Sequence, residues 1–241
     1  MAFEHYIYAD GKQLRCGYTT GTCAALAASG AVQRLLTGVW PETVSLRTPK
    51  GLTVEVPLEH CRVQGDTAQC SVCKDGGDDV DKTTGALIQA NVSLSDTPGV
   101  RIRGGQGVGR VTKPGLDQPV GEAAINRVPR QMIREAVEAA CRTADYDGGA
   151  EGTISVPEGE AIAQKTFNPQ MGIVGGISIL GTSGIVEPMS MQAMIDTMAL
   201  ELRQAAAQGH KRLILTPGNY GQDFLTRHGL DGLGVPVVKC A

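Results

Sequence analysis

The chain has 241 residues, enough for one large domain or two ordinary ones. With 41% hydrophobic residues, 32 glycines and a net charge of −3, it predicts a folded, loop-rich α/β or α+β protein, with no overall electrostatic case for nucleic acid or an anionic membrane. No apolar stretch nears the roughly 20 residues a membrane span needs, and the N-terminus lacks the basic-then-apolar plan of a secretory signal, so a soluble cytoplasmic protein is expected.

Residues 15–38 predict a helix capped by Thr20 or Thr22, with Ala24, Ala28, Val32 and Leu35 on one face and Gly38 as its stop. Tyr18, Thr19, Thr20 and Thr22 supply more hydroxyls than capping needs, at a helix N-terminus, which favours anions. Thr43–Arg47 and Leu52–Val56 read as a hairpin, and Thr67–Val72 as a further strand. Cys70 and Cys73 have the spacing of a redox or zinc motif, but no second pair accompanies them and the four histidines are scattered. Free cytosolic thiols and no protein metal site are the expectation.

A glycine-containing loop follows, with Asp75, Asp78, Asp79 and Asp81 crowded together. Its acids do not fall at the alternate positions of an EF-hand, and like charges so close repel unless something uses them. Residues 88–94 alternate as a half-buried strand. Between 101 and 134 the charge reverses: Arg101, Arg103, Arg110, Lys113, Arg127, Arg130 and Arg134 face only Asp117 and Glu122, and arginine grips carboxylates or phosphates bidentately. Pro129 opens a helix over 129–142, and Asp145–Gly152 reads as a linker.

The second half predicts a strand–helix–strand–loop–helix–strand order. Gly172–Leu180 is read as a strand buried on both faces that turns through Gly181, Thr182, Ser183 and Gly184 into a helix near Pro188. Met191, Met194, Ile195, Met198 and Leu202 mark one face of the helix that ends at Gly209. Lys211–Leu215 is a strand running into a loop with Gly218, Asn219, Tyr220 and Gly221, and Val235–Val238 begins another. A parallel sheet should place its ligand outside the carboxyl ends of the strands, where both glycine loops emerge.

Five stretches, RCGYTTGTCAALAA, KDGGDDVDKTTGA, VGRVTKPGLDQPVGEAAINRVPR, TFNPQMGIVGGISILGTSGIVEPMS and LTPGNYGQDF, together resemble the cobalt-precorrin-5B C-1 methyltransferases of oxygen-independent cobalamin synthesis. The resemblance runs in order from about residue 14 to the C-terminus. It implies methyl transfer from S-adenosylmethionine to C-1 of a cobalt corrinoid precursor, with cobalt arriving inside the substrate. It also implies an α+β N-terminal region, residues 1–150, that takes the corrinoid, and an α/β Rossmann-like domain, residues 151–241, that takes the cofactor. Family members continue well past the equivalent of Val237–Cys240, so this second domain is expected to be incomplete at its C-terminus.

On this reading the cofactor is held by Gly181, Thr182, Ser183 and Gly184 together with Gly218, Asn219, Tyr220 and Gly221. The acidic macrocycle is gripped by Thr19, Thr20, Arg110, Lys113, Arg127 and Arg130. Asp75, Asp78 and Asp79 are the candidate bases, since a proton must be balanced in the reaction. The competing readings are a non-catalytic corrinoid-binding scaffold and a phosphate-handling α/β enzyme, though no Gly-Lys-Ser/Thr motif occurs. Homo-oligomerisation is compatible with all three.

Overall fold

A computed structural model describes residues 3–230 and 234–240. Strands β1 (Tyr6–Ala9) and β2 (Lys12–Arg15) form an antiparallel hairpin. The short β3 (Gly17–Tyr18) delivers the chain to α1 (Thr20–Thr37). Then come the hairpin β4 (Thr43–Arg47) and β5 (Thr53–Pro57), followed by β6 (Glu59–Gln64), β7 (Thr67–Cys73), β8 (Leu87–Ser95), β9 (Gly99–Gly104), β10 (Gly107–Val108) and β11 (Arg110–Val111). Helix α2 (Arg127–Thr143), strand β12 (Gly149–Ser155) and the short α3 (Gly159–Ala163) precede β13 (Ile173–Val174), β14 (Gly176–Ile177) and β15 (Ile185–Val186). The last elements are α4 (Met191–Ala207), β16 (Ile214–Pro217), α5 (Gly218–Arg227) and β17 (Val237–Cys240).

The main sheet has the order β6-β7-β8-β12-β9, antiparallel throughout except for the β12–β9 pair. On β8 alternate residues, Ile88, Ala90 and Val92, are buried, as period-2 patterning requires, whereas β7 is buried on both faces from Ala68 to Val72. Helix α1 packs on β7, β8 and α2 at once. From Thr20 to Val32 every residue of α1 is buried, because that stretch is built of Ala, Gly, Cys, Ser, Thr, Leu and Val with no charged face. Small side chains let a sheet and a second helix approach it closely. Helix α2 is amphipathic by contrast, burying Met132, Ile133, Ala136, Val137 and Ala140 against this centre.

The stretch expected as a linker is structural. Tyr146 donates its hydroxyl to the Ser95 carbonyl at 2.9 Å, and β12 lies between β8 and β9. A division between residues 150 and 151 therefore falls inside β12, and β13 to β15 pair with β11, β10 and β3 respectively, tying residues 173–186 to the N-terminal elements.

Gly172–Leu180 is not one continuous strand. Gly172 and Gly175 adopt φ of 75° and 82°, which breaks the extended backbone into the two-residue β13 and β14. Neither joins the sheet of β16, which pairs in parallel with β17. The two glycine segments consequently do not follow adjacent strands, and Gly218–Gly221 forms the first turn of α5 rather than a loop. Helix α4 begins at Met191, later than Pro188, with the Ser190 hydroxyl accepting the Ala193 N–H at 3.2 Å.

If α1 is the centre of the core, Leu26→Ala should cost about 2–5 kcal/mol in chemical denaturation, from lost burial and the cavity left behind. A loss below about 1 kcal/mol would contradict that placement.

Candidate functional site

The N-terminus of α1 is the junction of the molecule. Thr19 caps it, its hydroxyl accepting the Thr22 N–H at 3.2 Å. The remaining groups bind the chain segment 178–184. Gly21 N–H donates to the Leu180 carbonyl (3.0 Å), and Leu180 N–H donates to the Thr20 hydroxyl (2.9 Å). Thr19 N–H (3.1 Å) and the Thr22 hydroxyl (2.7 Å) both reach the Gly184 carbonyl. Thr19 and Thr20 are buried. Their hydroxyls are engaged within the fold, and the backbone carbonyls of Leu180 and Gly184 occupy this end of the helix. Gly181 sits at φ 135°, where a side chain would strike Thr19.

The strap 178–187 continues to two further elements. Lys50 N–H donates to the Ser183 carbonyl at 3.0 Å, and the Lys50 ammonium pairs with Glu187 at 2.6 Å, fixing the turn after β4. Strand β15 pairs with β3, and Tyr18 N–H donates to the Asp75 carbonyl, which brings in the acidic loop. The strap carbonyls of Leu180, Ser183 and Gly184 accept from the protein. The amides of Gly181 and Thr182 have no acceptor among the described residues.

The acidic loop divides its carboxylates by environment. Asp75 makes a two-pronged pair with the Arg15 guanidinium (2.6 and 2.9 Å) and accepts the Gly77 N–H at 2.8 Å. The Arg15 hydrogen bond holds its carboxyl below the usual range, so Asp75 is poorly suited to be a base and serves to shape the loop. Asp78 is exposed and accepts the backbone N–H of Arg15 at 2.6 Å. Asp81 pairs with the buried Lys74 at 2.6 Å and accepts the N–H and hydroxyl of Thr83. Burial pushes the Asp81 carboxyl up, but the charge and hydrogen bond of Lys74 outweigh it and leave it low. Asp79 is the exception: half-buried and outside every ion pair among the described residues, it is pushed up by desolvation and by the charge of Asp81.

Not all of the basic residues take part. Arg130 donates to the carbonyls of Ile125 (2.9 Å) and Ile102 (3.1 Å) and is partly desolvated, so its guanidinium stitches α2 to β9 and is not free for a ligand. Arg110 donates to the Gly121 carbonyl and Lys113 to that of Gln170, and both side chains are exposed. Arg127 opens α2 with an exposed side chain, its backbone N–H bonded to the Asp117 carboxylate. Gly218–Gly221 lie at the start of α5. Ahead of them the Thr216 hydroxyl, at the carboxyl end of β16, is buried without a hydrogen-bond partner among the described residues.

Sequence reasoning missed Arg15 and Lys74, the cations that organise the acidic loop. Lys74 could have been suspected from its place directly before four carboxylates. Cys70 is a core residue whose thiol donates to the Ala27 carbonyl, and among the described residues no cluster of three or more His, Cys, Asp or Glu could hold a metal ion. No helix among them is long and apolar enough to cross a membrane.

The sequence that builds this arrangement matches the family model CbiD over residues 7–188. The chain belongs to that family. It is 49% identical over 229 residues to the cobalt-precorrin-5B C(1)-methyltransferase of Ruminiclostridium cellulolyticum, covering 95% of this chain and 59% of that protein. The protein of the same name from Geobacillus kaustophilus is 51% identical over 213 residues, 88% of this chain and 57% of the relative. The chain therefore spans about three fifths of the length of these curated relatives. A crystal structure of the cobalamin biosynthesis protein cbiD from Archaeoglobus fulgidus superposes with a TM-score of 0.59 at 31% identity, covering 97% of this chain and 79% of that one.

The carboxylates set a pH dependence. Asp75 and Asp81 have folded-state values below their unfolded ones, so their stabilisation is complete above roughly pH 4–5 and is lost as pH falls through the folded values. Asp79, raised, contributes in the opposite sense: its share is present at low pH and lost as pH rises through its folded value. Asp81→Asn should destabilise the fold by roughly 1–3 kcal/mol at pH 7, because Lys74 stays buried without its partner, and should flatten the acid limb of the pH–stability curve. An unchanged acid limb would contradict the pairing.

Proposed function

We propose that this chain carries out S-adenosylmethionine-dependent methylation of C-1 of cobalt-precorrin-5B, giving cobalt-precorrin-6A in oxygen-independent cobalamin synthesis. The observation that carries the reading is the shared sequence: relatives bearing that methyltransferase name match 95% of this chain at 47–49% identity. The chain has seven cysteines, and the six whose side chains are described are unpaired, which supports a reducing, cytoplasmic setting. Residues 191–240, with the parallel β16–β17 pair and α5 between them, are read as the opening of a Rossmann-like unit that follows the corrinoid-binding α+β module.

The residues present fit the methyl donor. The orphaned Thr216 hydroxyl stands at the carboxyl end of a parallel strand, directly before the N-terminus of α5, where open α/β sheets take ligands. Thr216 and the Gly218–Gly221 turn would hold the cofactor. When bound, S-adenosylmethionine supplies an electrophilic methyl group on a cationic sulfonium. The free Gly181 and Thr182 amides can hold a carboxylate of either ligand.

The protein's chemical task is then alignment and one proton. Asp79 is the base we assign, since its environment keeps its proton affinity above that of its neighbours. Asp75 positions the loop through Arg15, and the Lys74–Asp81 pair anchors its far side.

Thr216→Val keeps the shape and removes the hydroxyl. It should weaken S-adenosylhomocysteine binding about 2- to 10-fold in calorimetry, with ATP giving no heat in either form. Unchanged affinity in the folded variant would exclude this end of β16. Asp79→Asn should lower the single-turnover methyl-transfer rate roughly 10²–10⁴-fold. A wild-type rate would remove Asp79 from the chemistry.

A further inference from the structure

A cavity of about 570 Å³ opens between the end of β4 and the first turns of α2. Its apolar lining comes from Leu46, Pro49, Val128 and Met132, and two arginines, Arg47 and Arg127, also line it. Both are exposed, and neither guanidinium has a hydrogen-bond or ion-pair partner among the described residues. This separates them from Arg15, Arg101, Arg103, Arg110 and Arg130, whose guanidiniums are engaged within the protein. The one acid in the lining, Glu135, accepts from the Gln131 amide at 2.7 Å.

The cavity adjoins the junction at the α1 N-terminus. Lys50, directly after the Thr48–Pro49 corner of the lining, is bonded to the strap through Ser183 and Glu187. On the other wall, Pro129 of α2 packs so closely on Gly21 of α1 that a Cβ there would lie 2.7 Å from the proline ring.

We propose that this cleft receives one edge of the corrinoid macrocycle, its apolar floor against the ring and Arg47 and Arg127 on peripheral carboxylates. The proposal rests on the methyltransferase reading and adds Arg47 to the residues that select the substrate. Charge complementarity decides the occupant. Two unpaired guanidiniums over an apolar floor suit a flat body with an anionic rim and oppose a cationic sulfonium. The volume lies within the range of small-molecule sites, and an open cleft of this size seats part of a macrocycle rather than all of it.

The test is equilibrium binding of cobyrinic acid, a cobalt corrinoid with free carboxylates, to the intact chain, followed by its visible absorbance. Cobinamide, whose periphery is amidated, serves as the uncharged comparison. Arg47→Glu and Arg127→Glu should each weaken cobyrinic acid binding about tenfold or more and leave cobinamide nearly unchanged, with Gln substitutions intermediate. Arg142→Glu, the same charge change near the far end of α2, should bind as wild type. Wild-type affinity in both folded charge-reversal variants, an equal loss in Arg142→Glu, or no binding of cobyrinic acid by the unaltered chain would overturn the proposal. S-adenosylhomocysteine calorimetry on the same proteins separates the two readings: loss of that signal in every form sinks the methyl-donor reading, whereas insensitivity of cobyrinic acid to Arg47 and Arg127 sinks the cleft.

Discussion

The N-terminus of α1 must satisfy its backbone donors while buried, and the rest of the structure is arranged around how it does so. A buried helix end without partners would cost several unsatisfied hydrogen bonds. Here the partners come from a segment about 160 residues later: the carbonyls of Leu180 and Gly184, with the Thr20 and Thr22 hydroxyls completing the exchange. Because the strap is fixed there, β15 can pair with β3, the turn after β4 can dock on Ser183 and Glu187, and the acidic loop can bond to Tyr18. One capping problem thereby gathers three distant segments, the strap, the turn after β4 and the acidic loop, at one end of the helix.

That arrangement assigns different work to chemically similar groups. Of the four loop carboxylates, two are held ionised by buried or half-buried cations and one lies exposed, leaving Asp79 as the group whose environment favours the protonated form. The arginines divide the same way: Arg130 is consumed by backbone carbonyls, whereas Arg47 and Arg127 face a cleft unpaired. Charge counts along the sequence cannot make that distinction, because it depends on which carbonyls and carboxylates the fold brings within reach.

Much of the N-terminal half was legible from local pattern. The α1 helix with its Gly38 stop, the β4–β5 hairpin, β7, β8 and α2 follow from capping residues and from 3.6- or 2-residue periodicity. What failed was long-range. Gly172–Leu180 has the apolar content of a buried strand, but its glycines adopt positive φ, and its pairing partners lie at residues 107–111. The same limitation hid the role of Thr19–Thr22: an excess of hydroxyls was visible, but not that their acceptors would be protein carbonyls. The Asp145–Gly152 segment, rich in glycine and aspartate, reads as a linker, yet it enters a strand flanked on both sides.

The central claim is that threonine hydroxyls at the α1 N-terminus hold the strap that assembles the site. Amide hydrogen exchange across residues 178–187, compared between the wild type and Thr20→Val, tests it directly, since valine keeps the branched shape and removes the acceptor of the Leu180 N–H. The account predicts that the Leu180 amide is protected in the wild type and exchanges at least about tenfold faster in the variant, the loss of roughly one hydrogen bond or more, while β7 and β8 keep their protection. Unchanged exchange across the strap in a folded Thr20→Val protein would contradict it.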